Sequence, residues 1–461
     1  MNISIRMKDS FGAFCDRGIV FSLCVLIFVL PVSIALLDSF AGLAIFFYAL
    51  KKIDQMITAW PLKASCLNFA GRIHFVWKGF APVVNPLNLP LQFLALAVFI
   101  SVLFSQYPGL SFAAFIGKFL KSVFLYFSFI EAFKDERRVR IFLGFFLASA
   151  FIVVLNGILQ HYAGKDLFKG HFMGGGRENS TFKTANGLGA YLLPVIGMVI
   201  YLLHYAIMRM KAWILGGGLF VFLAVLLVSL CWSYSRSSWL GFIAMLIVMV
   251  LLDLRKVFFI TVLIIIFIFL FLPSLNNVRH LHLFNDSDVS GVNSECSFQK
   301  VESAFGQGPV NGVKFILKQG GSGRFMFWKK AFSIIRISPV YGTGLNTYLR
   351  IIKRDPDQGK WWYAHNCYLQ LTAETGLLGL GCFLWMLFVL LRYSLNYCKQ
   401  INDPWLMTLL QGTISGLIGF LIQSCLDNTF YTVQLGVLMW LIFGLMVALT
   451  RLNPFVATGE R

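Results

Sequence analysis

"AWILGGGLFVFLAVLLVSLCWSYSRSSWLGFIAMLIVMVLLD", Ala212 to Asp253, holds two apolar runs, 212–232 and 237–253, joined by a short polar hinge. Each run approaches the roughly 20 apolar residues that a helix needs to cross a hydrocarbon core. Two such runs back to back predict a helical hairpin with its hinge at one membrane face. Arg236 is the only charge between Lys211 and Asp253. A lone cation that close to hydrocarbon is costly and is by default a functional candidate. The alternative is an arginine whose stem lies along lipid while its head reaches the headgroups.

The same pattern fills most of the chain. Of 461 residues, 58% are hydrophobic and only 13% charged, with a mean hydropathy of +0.75. A soluble domain carries about twice that share of charge. Apolar runs near 18–37, 39–53, 89–105, 112–132, 139–160, 186–206, 212–232, 237–253, 257–273, 376–393, 406–426 and 430–450 predict about twelve spans. The fold class expected is therefore an all-α polytopic membrane protein. Four regions follow: 1–140, spans with a basic cytoplasmic linker; 141–273, central spans; 274–364, a large outer loop; and 365–461, C-terminal spans. The first apolar run passes almost directly into a second, which predicts a retained span and not a cleaved leader.

The formal net charge is +19. In a membrane chain that points to anionic lipid, with no nucleic acid among the expected partners. Lys51, Lys52, Lys134, Arg137, Arg138, Arg140, Arg209, Lys211, Arg255, Lys256, Arg392, Lys399 and Arg451 fall in alternate short linkers. By the positive-inside rule this places both termini in the cytoplasm. Two outer linkers, 161–185 and 274–364, are basic as well. They read either as solvated loops or as an outer site for an anion. Nine cysteines lie scattered with no CxxC pair or Cys/His cluster, so neither a disulfide framework nor a zinc site is expected.

Three stretches carry candidate chemistry. "SGRFMFWKKAFSIIRISP", Ser322 to Pro339, predicts an amphipathic helix with Phe325, Phe327, Trp328, Phe332, Ile334 and Ile335 on one face and Lys329, Lys330, Ser333 and Arg336 on the other. Arg324 falls on the apolar side. "GGGRENSTFKTANGLGAYLLP", Gly174 to Pro194, is either a turn or a turn that leads an anion to a helix N-terminus capped by Asn186. "WWYAHNCYLQLTAETGLLG", Trp361 to Gly379, sets His365 between interfacial aromatics and a span, with Asn366 as the expected cap. His365 reads as an interfacial histidine or as a general base. Tyr234 and the serines around Arg236 are candidate donors to phosphate oxygens. Asp286 and Asp288 are adjacent but lie in the loosest part of the outer loop and do not make a convincing metal site.

Taken in order, "YSRSSWLG" opening a span, "GRFMFWKKAFSIIRISPVYGTGLN" in a large outer loop and "AHNCYLQLTAETGLLGLG" entering the next span resemble the O-antigen ligase and polymerase superfamily. "STFKTANGLGAYLLP" fits its asparagine segment loosely, and the resemblance covers roughly 140–450. It implies a membrane glycosyltransferase of the C type in the bacterial inner membrane, with its site facing the periplasm. The implied donor is a glycan on undecaprenyl pyrophosphate, and the acceptor is lipid A-core or a growing glycan. Matched by position, Arg236 and Arg324 take the places of the family's essential arginines and His365 that of its histidine. Arg177, Lys183, Asn186, Tyr234 and Asn366 are the expected substrate contacts, and Asp38 is the second candidate for the base. No metal or other cofactor is expected. A ligase is the expected activity, with a polymerase as the alternative. A carrier of lipid-linked sugar is the other class, though no paired halves are visible in the sequence.

Overall fold

Pro31 decides the first departure from the expected spans. A proline has no N–H to continue a helix, so the predicted run 18–37 breaks at residues 30–33 and the apolar residues regroup as α1 (Asn2–Val29) and α2 (Ile34–Ala59). The computed structural model describes residues 2–59, 82–173, 176–252, 324–352 and 363–452. Along them follow α3 (Asn88–Leu103), α4 (Pro108–Ala132), α5 (Glu136–Ala163), α6 (Ala185–Met208), α7 (Trp213–Trp232), α8 (Arg236–Leu252), α9 (324–337), α10 (Cys367–Cys398), α11 (Pro404–Gln423) and α12 (Val433–Arg451). Among the described residues nine of these are long and apolar enough to cross a membrane, and α3 and α8 are shorter apolar helices. The predicted span 257–273, Asp286, Asp288, Trp361 and Trp362 lie outside the described residues.

Helix contacts rest on small residues. α6 and α11 pack backbone to backbone: a Cβ on Gly197 would stand 2.7 Å from the Gly412 carbonyl oxygen and 2.9 Å from the Gly416 Cα. α8 meets the same α11 through Gly419, where an added Cβ would lie 2.8 Å from the Gly241 carbonyl oxygen. Lipid-embedded helices gain little hydrophobic drive against one another and associate through such close approaches. α11 thus lies between α6 and α8 and fixes their mutual height.

α10 is two helices in one. The sequence places a span from 376, whereas the helix begins at Cys367 and breaks at Gly376, whose φ is +71°. Only glycine adopts that backbone without a Cβ penalty. The chain segment 339–344 crosses at the break and supplies the missing partners. Leu377 N donates to the Pro339 carbonyl (2.8 Å), Thr343 N to that of Ala373 (3.0 Å) and Gly344 N to that of Glu374 (2.9 Å). Backbone groups buried at membrane depth have to be satisfied within the protein, and here the segment 339–344 satisfies them. The short half-helix 367–375 is thereby held at one end of the bundle.

The two ends of the bundle differ in charge. At the end remote from residue 365, Lys51 pairs with Asp16 (2.6 Å), Lys52 with Glu131 (2.5 Å) and Lys134 with Asp16 (3.0 Å), joining α1, α2 and α4. Those lysines belong to the basic linkers of the sequence reading. At the other end, the 164–184 loop is tied to α5. Gln160 Nε2 donates to Asn179 Oδ1 (2.7 Å), its Oε1 accepts from Ser180 N (2.8 Å), and Asn156 Nδ2 donates to Ser180 Oγ (2.9 Å). Glu178 in that loop is fully buried, with the Ser229 hydroxyl beside its carboxyl. Burial pushes this carboxyl up to about 8, with the Ser229 hydroxyl opposing.

Two outcomes follow from this packing. Gly197→Val should destabilise the protein by about 1–3 kcal/mol, the usual cost of overpacking. The check is a lower thermal transition of the purified protein in detergent, and an unchanged transition would mean that α6 and α11 do not rely on this contact. Glu178 is folded as a neutral acid, so its raised value makes folding weaken as pH climbs from 4.5 to about 8. Glu178→Gln should remove that slope and raise stability at neutral pH, read as the transition temperature against pH in both proteins.

Candidate active site

Three helix beginnings meet the end of α11. α6 starts at an N-cap, Thr184, whose side chain accepts from Gly187 N. α10 starts at Asn366, whose Oδ1 accepts from Tyr368 N (2.9 Å) and Leu369 N (3.0 Å). α8 starts at Arg236, just after a turn built by serines: Ser233, Ser235, Ser237 and Ser238 are all buried and bond to that turn or to one another. Gln423, the last residue of α11, donates to the Asn186 carbonyl (2.8 Å), and Cys367 N donates to the Ser424 carbonyl (2.9 Å). Helix N-termini point unpaired N–H groups outward and favour anions.

Arg177 links two of these beginnings. Its Nε donates to the Ser233 carbonyl (3.0 Å) and its Nη2 to Asn186 Oδ1 (2.7 Å). Burial lowers the proton affinity of its guanidinium; Asp427 opposes this, and Arg236 and Arg324 add to it. Arg324 is lowered for the same reasons, burial first, with Asp427 opposing and Arg236 adding. The three arginines therefore share one electrostatic neighbourhood with a single carboxylate. Arg236 is exposed and makes no hydrogen bond or ion pair among the described residues. It stands at the positive end of its own helix, where a cation is disfavoured. All three remain charged, since a guanidinium does not lose its proton in proteins. A cluster of three cations around one anion is a site short of negative charge.

His365 closes the cluster. Its backbone is left-handed, with φ +47°, a strained state that costs on the order of 1–3 kcal/mol and gathers at functional positions. Its Nδ1 lies 3.2 Å from Asp427 Oδ1, and the Phe327 ring of α9 sits 5.3 Å from the imidazole. A carboxylate only accepts, so Nδ1 is the donor of this pair, and in a neutral imidazole that arrangement leaves the lone pair on Nε2. Burial would raise the Asp427 carboxyl. The hydrogen bond and charge of His365, the Asn428 N–H and the Asn186 side chain outweigh it and hold the group below its ordinary value. The pair is thus a charged acceptor that orients an imidazole.

The residues singled out in the sequence divide. Arg177, Arg236, Arg324 and His365 come together, with Asn186 beside them. Asn186 is not the helix cap; Thr184 takes that position because its extended backbone and hydroxyl suit it, and Asn186 instead accepts from Arg177. Asn366 caps α10 as expected, which commits its side-chain oxygen to backbone. Tyr234 occupies the tight turn before Arg236 with φ +45°. Lys183 is exposed. Asp38 is held by Lys121 at 2.6 Å. On α9 the inner face is Arg324, Phe327, Trp328, Ala331 and Ile334, while Phe325 and Phe332, placed inward by the sequence, are 71% and 51% exposed. The serines near Arg236 build the turn and are not aimed at a ligand.

Asp427 is the residue that the sequence reading passed over. "SCLDNTF", Ser424 to Phe430, is the only polar break between two apolar runs, and Asp427 is the single acid within it. The argument that singled out Arg236, a lone charge at a span end, applies to it equally.

Residues 221–384 match a family model described as O-antigen ligase. No curated protein matches the chain. The matched stretch takes in Arg236, Arg324, His365 and the Gly376 break, and leaves Arg177 and Asp427 outside. The match over residues 221–384 is to a domain that O-antigen ligases and polymerases share, and it points to a membrane enzyme that transfers glycans from lipid-linked substrates.

Proposed function

We propose that the protein is an O-antigen ligase. It would move a glycan from undecaprenyl pyrophosphate to a lipid A-core acceptor at the outer face of the bacterial inner membrane. The observation that carries this reading is the convergence of Arg177, Arg236 and Arg324 on one side of a His365–Asp427 pair. A pyrophosphate leaving group develops negative charge as its bond to the anomeric carbon breaks. Preorganised guanidinium groups stabilise that charge without having to reorganise. Arg236, exposed and lacking a partner among the described residues, is the cation left for the ligand, while Arg177 is anchored by the protein itself.

His365 supplies the base. An acceptor hydroxyl attacks the anomeric carbon from the face opposite the pyrophosphate, its proton passes to Nε2, and the new glycosidic bond forms with inversion. Asp427 keeps Nδ1 protonated and stabilises the imidazolium that results. Undecaprenyl pyrophosphate leaves, and the imidazole returns its proton to water. A polymerase would use the same donor chemistry with a growing glycan as acceptor, so the acceptor that becomes glycosylated separates the two.

The first test is of the pair. His365→Ala should lower the transfer rate by about 10²–10⁴-fold, the usual contribution of a general base, and leave donor binding nearly unchanged. Asp427→Asn should also lower the rate strongly, because an amide can present its N–H to Nδ1 and favour the wrong tautomer. Transfer by purified protein with a defined donor and acceptor reads both. Near-normal rates in Asp427→Asn would remove the base role from His365.

The second test is of the arginines. Arg236→Lys keeps the charge and loses the planar fork that grips two phosphate oxygens. It should cost about 10- to 100-fold in kcat/KM, as expected for a charge-assisted contact, and Arg324→Ala at least as much. Full activity in both variants at normal protein levels would refute a pyrophosphate site there.

A further inference from the structure

A second site lies behind the loop that carries Asp427. Residues 424–432 have two sides. Asp427 and Asn428 face His365 and Asn366, whereas Phe430, Tyr431 and Thr432 line a cavity between α3, α4, α10 and α12. Leu94, Val98, Phe119, Phe383, Phe430 and Trp440 give it apolar walls. Lys118, Lys121, Asn346 and Glu374 give it polar ones. Lys118 is exposed and Glu374 is buried, so the cavity runs from the surface inward.

Both lysines lie within the candidate span Pro108–Ala132, one turn apart. A lysine at such a place costs energy unless something uses it. The chain between them departs from the ordinary helix: Phe115–Leu120 is π-helical, a wide turn found mostly as single insertions at functional sites. Lys118 Nζ donates to Asn346 Oδ1 (2.8 Å), a neutral acceptor that occupies one of its three donors. Lys121 is paired with Asp38 at 2.6 Å, a carboxylate that is 49% exposed and so weakly held. Glu374 is turned to other work: it accepts from Asn346 N (2.8 Å), Tyr348 N (3.4 Å) and Gln370 Nε2 (3.3 Å). That leaves the ammonium of Lys118 with spare donors, beside Lys121 in a cavity whose larger part is hydrocarbon and aromatic.

We propose that this cavity binds a membrane lipid with a phosphate headgroup, the phosphate on Lys118 and Lys121 and the first part of the chain against Phe119, Phe383 and Trp440. A soluble anion would have no use for the apolar walls, and a neutral lipid none for two lysines in a span. The site is separate from the arginine cluster and does not depend on the donor assigned to that cluster. Its occupant would press on the same short loop that orients the histidine.

The test uses the full-length protein in a neutral detergent, with retained lipid counted by native mass spectrometry. The probes are phosphatidic acid, diacylglycerol with the same chains, and inorganic phosphate. Phosphatidic acid should be retained in preference to diacylglycerol by roughly tenfold or more, from two lysines near one phosphate, and inorganic phosphate should not displace it at equal concentration. Lys118→Gln combined with Lys121→Gln should erase the preference. Val98→Trp, which fills the cavity from another helix and leaves both lysines in place, should reduce retention by a similar factor. Arg236→Gln should keep it. Asp38→Asn, which frees Lys121, should tighten it. Unchanged retention in both the double-lysine variant and Val98→Trp overturns the proposal, as does equal retention of diacylglycerol. Displacement by inorganic phosphate alone would reduce the cavity to an anion site without a lipid and overturn it too. A preference lost only in Arg236→Gln would move the lipid to the arginine cluster.

Discussion

Backbone contact between α11 and its two neighbours sets the height of everything that could react. Gly412 and Gly416 seat α11 against α6, and Gly419 seats it against α8. A side chain at any of these positions would force the helices apart. Because they cannot slide, the first turn of α6, the first residue of α8 and the turn after α11 arrive at one level. Asn186, Arg236 and Asp427 are carried there by packing that lies well below them in the bundle. The Gly376 break does the same for His365. It lets a half-helix begin at Asn366 instead of starting the span at the membrane surface, and the crossing of 339–344 keeps its carbonyl ends satisfied.

The electrostatics of that level are unbalanced by construction. Arg236 and Arg324 raise the cost of charging Arg177, Arg236 raises that of Arg324, and Asp427 is the acid that offsets both. A fold that needed only stability would have no reason to collect three guanidinium groups at helix N-termini, where the backbone already supplies positive potential. The cost is borne by the surrounding structure. Asn156 and Gln160 of α5 fasten the 164–184 loop, and Arg177 is bonded at both ends of its fork before any ligand arrives. Preorganisation of this kind is what gives fixed charges their effect on a developing anion.

Much of this was legible from composition and from isolated charges. The apolar runs foretold the helices because burial of the backbone in lipid leaves few alternatives. Arg236, Arg324 and His365 stood out because each is a polar residue where hydrophobicity calls for none. Boundaries were less legible where a local residue overrides the run: Pro31 moved a helix end, and Gly376 placed a break inside an apparent start. The role of a polar side chain was the hardest to read. Serines beside Arg236 look like ligand donors in sequence, but each hydroxyl has a backbone or serine partner within reach, which the one-dimensional pattern cannot show. The inner face of α9 differs from the helical-wheel reading by part of a turn, because Phe325 and Phe332 are exposed and a wheel that separates apolar from polar does not distinguish a face packed on the core from an apolar face left open. Asp427 was missed for a different reason: it lies 62 residues beyond His365, and only tertiary pairing identifies it as the partner.

The loop 424–432 is the element on which the two sides of this chemistry depend. Its first half is fixed by Ser424 and Cys367, and Asp427 is poised by its neighbour's N–H at 2.8 Å as well as by the histidine. Its second half, Thr429–Tyr431, is a single 3-10 turn, a poorly bonded geometry that seldom extends far. Such a segment is stiff where it holds the carboxylate and more adaptable where it faces the cavity. A ligand in the cavity would touch Phe430 and Tyr431 and reach Asp427 through three residues of main chain. A shift of well under a helical turn would lengthen the 3.2 Å contact to the imidazole and weaken its orientation. A ligand in the cavity would therefore bear on the geometry of the His365–Asp427 pair, and a short connecting loop is enough to join the two.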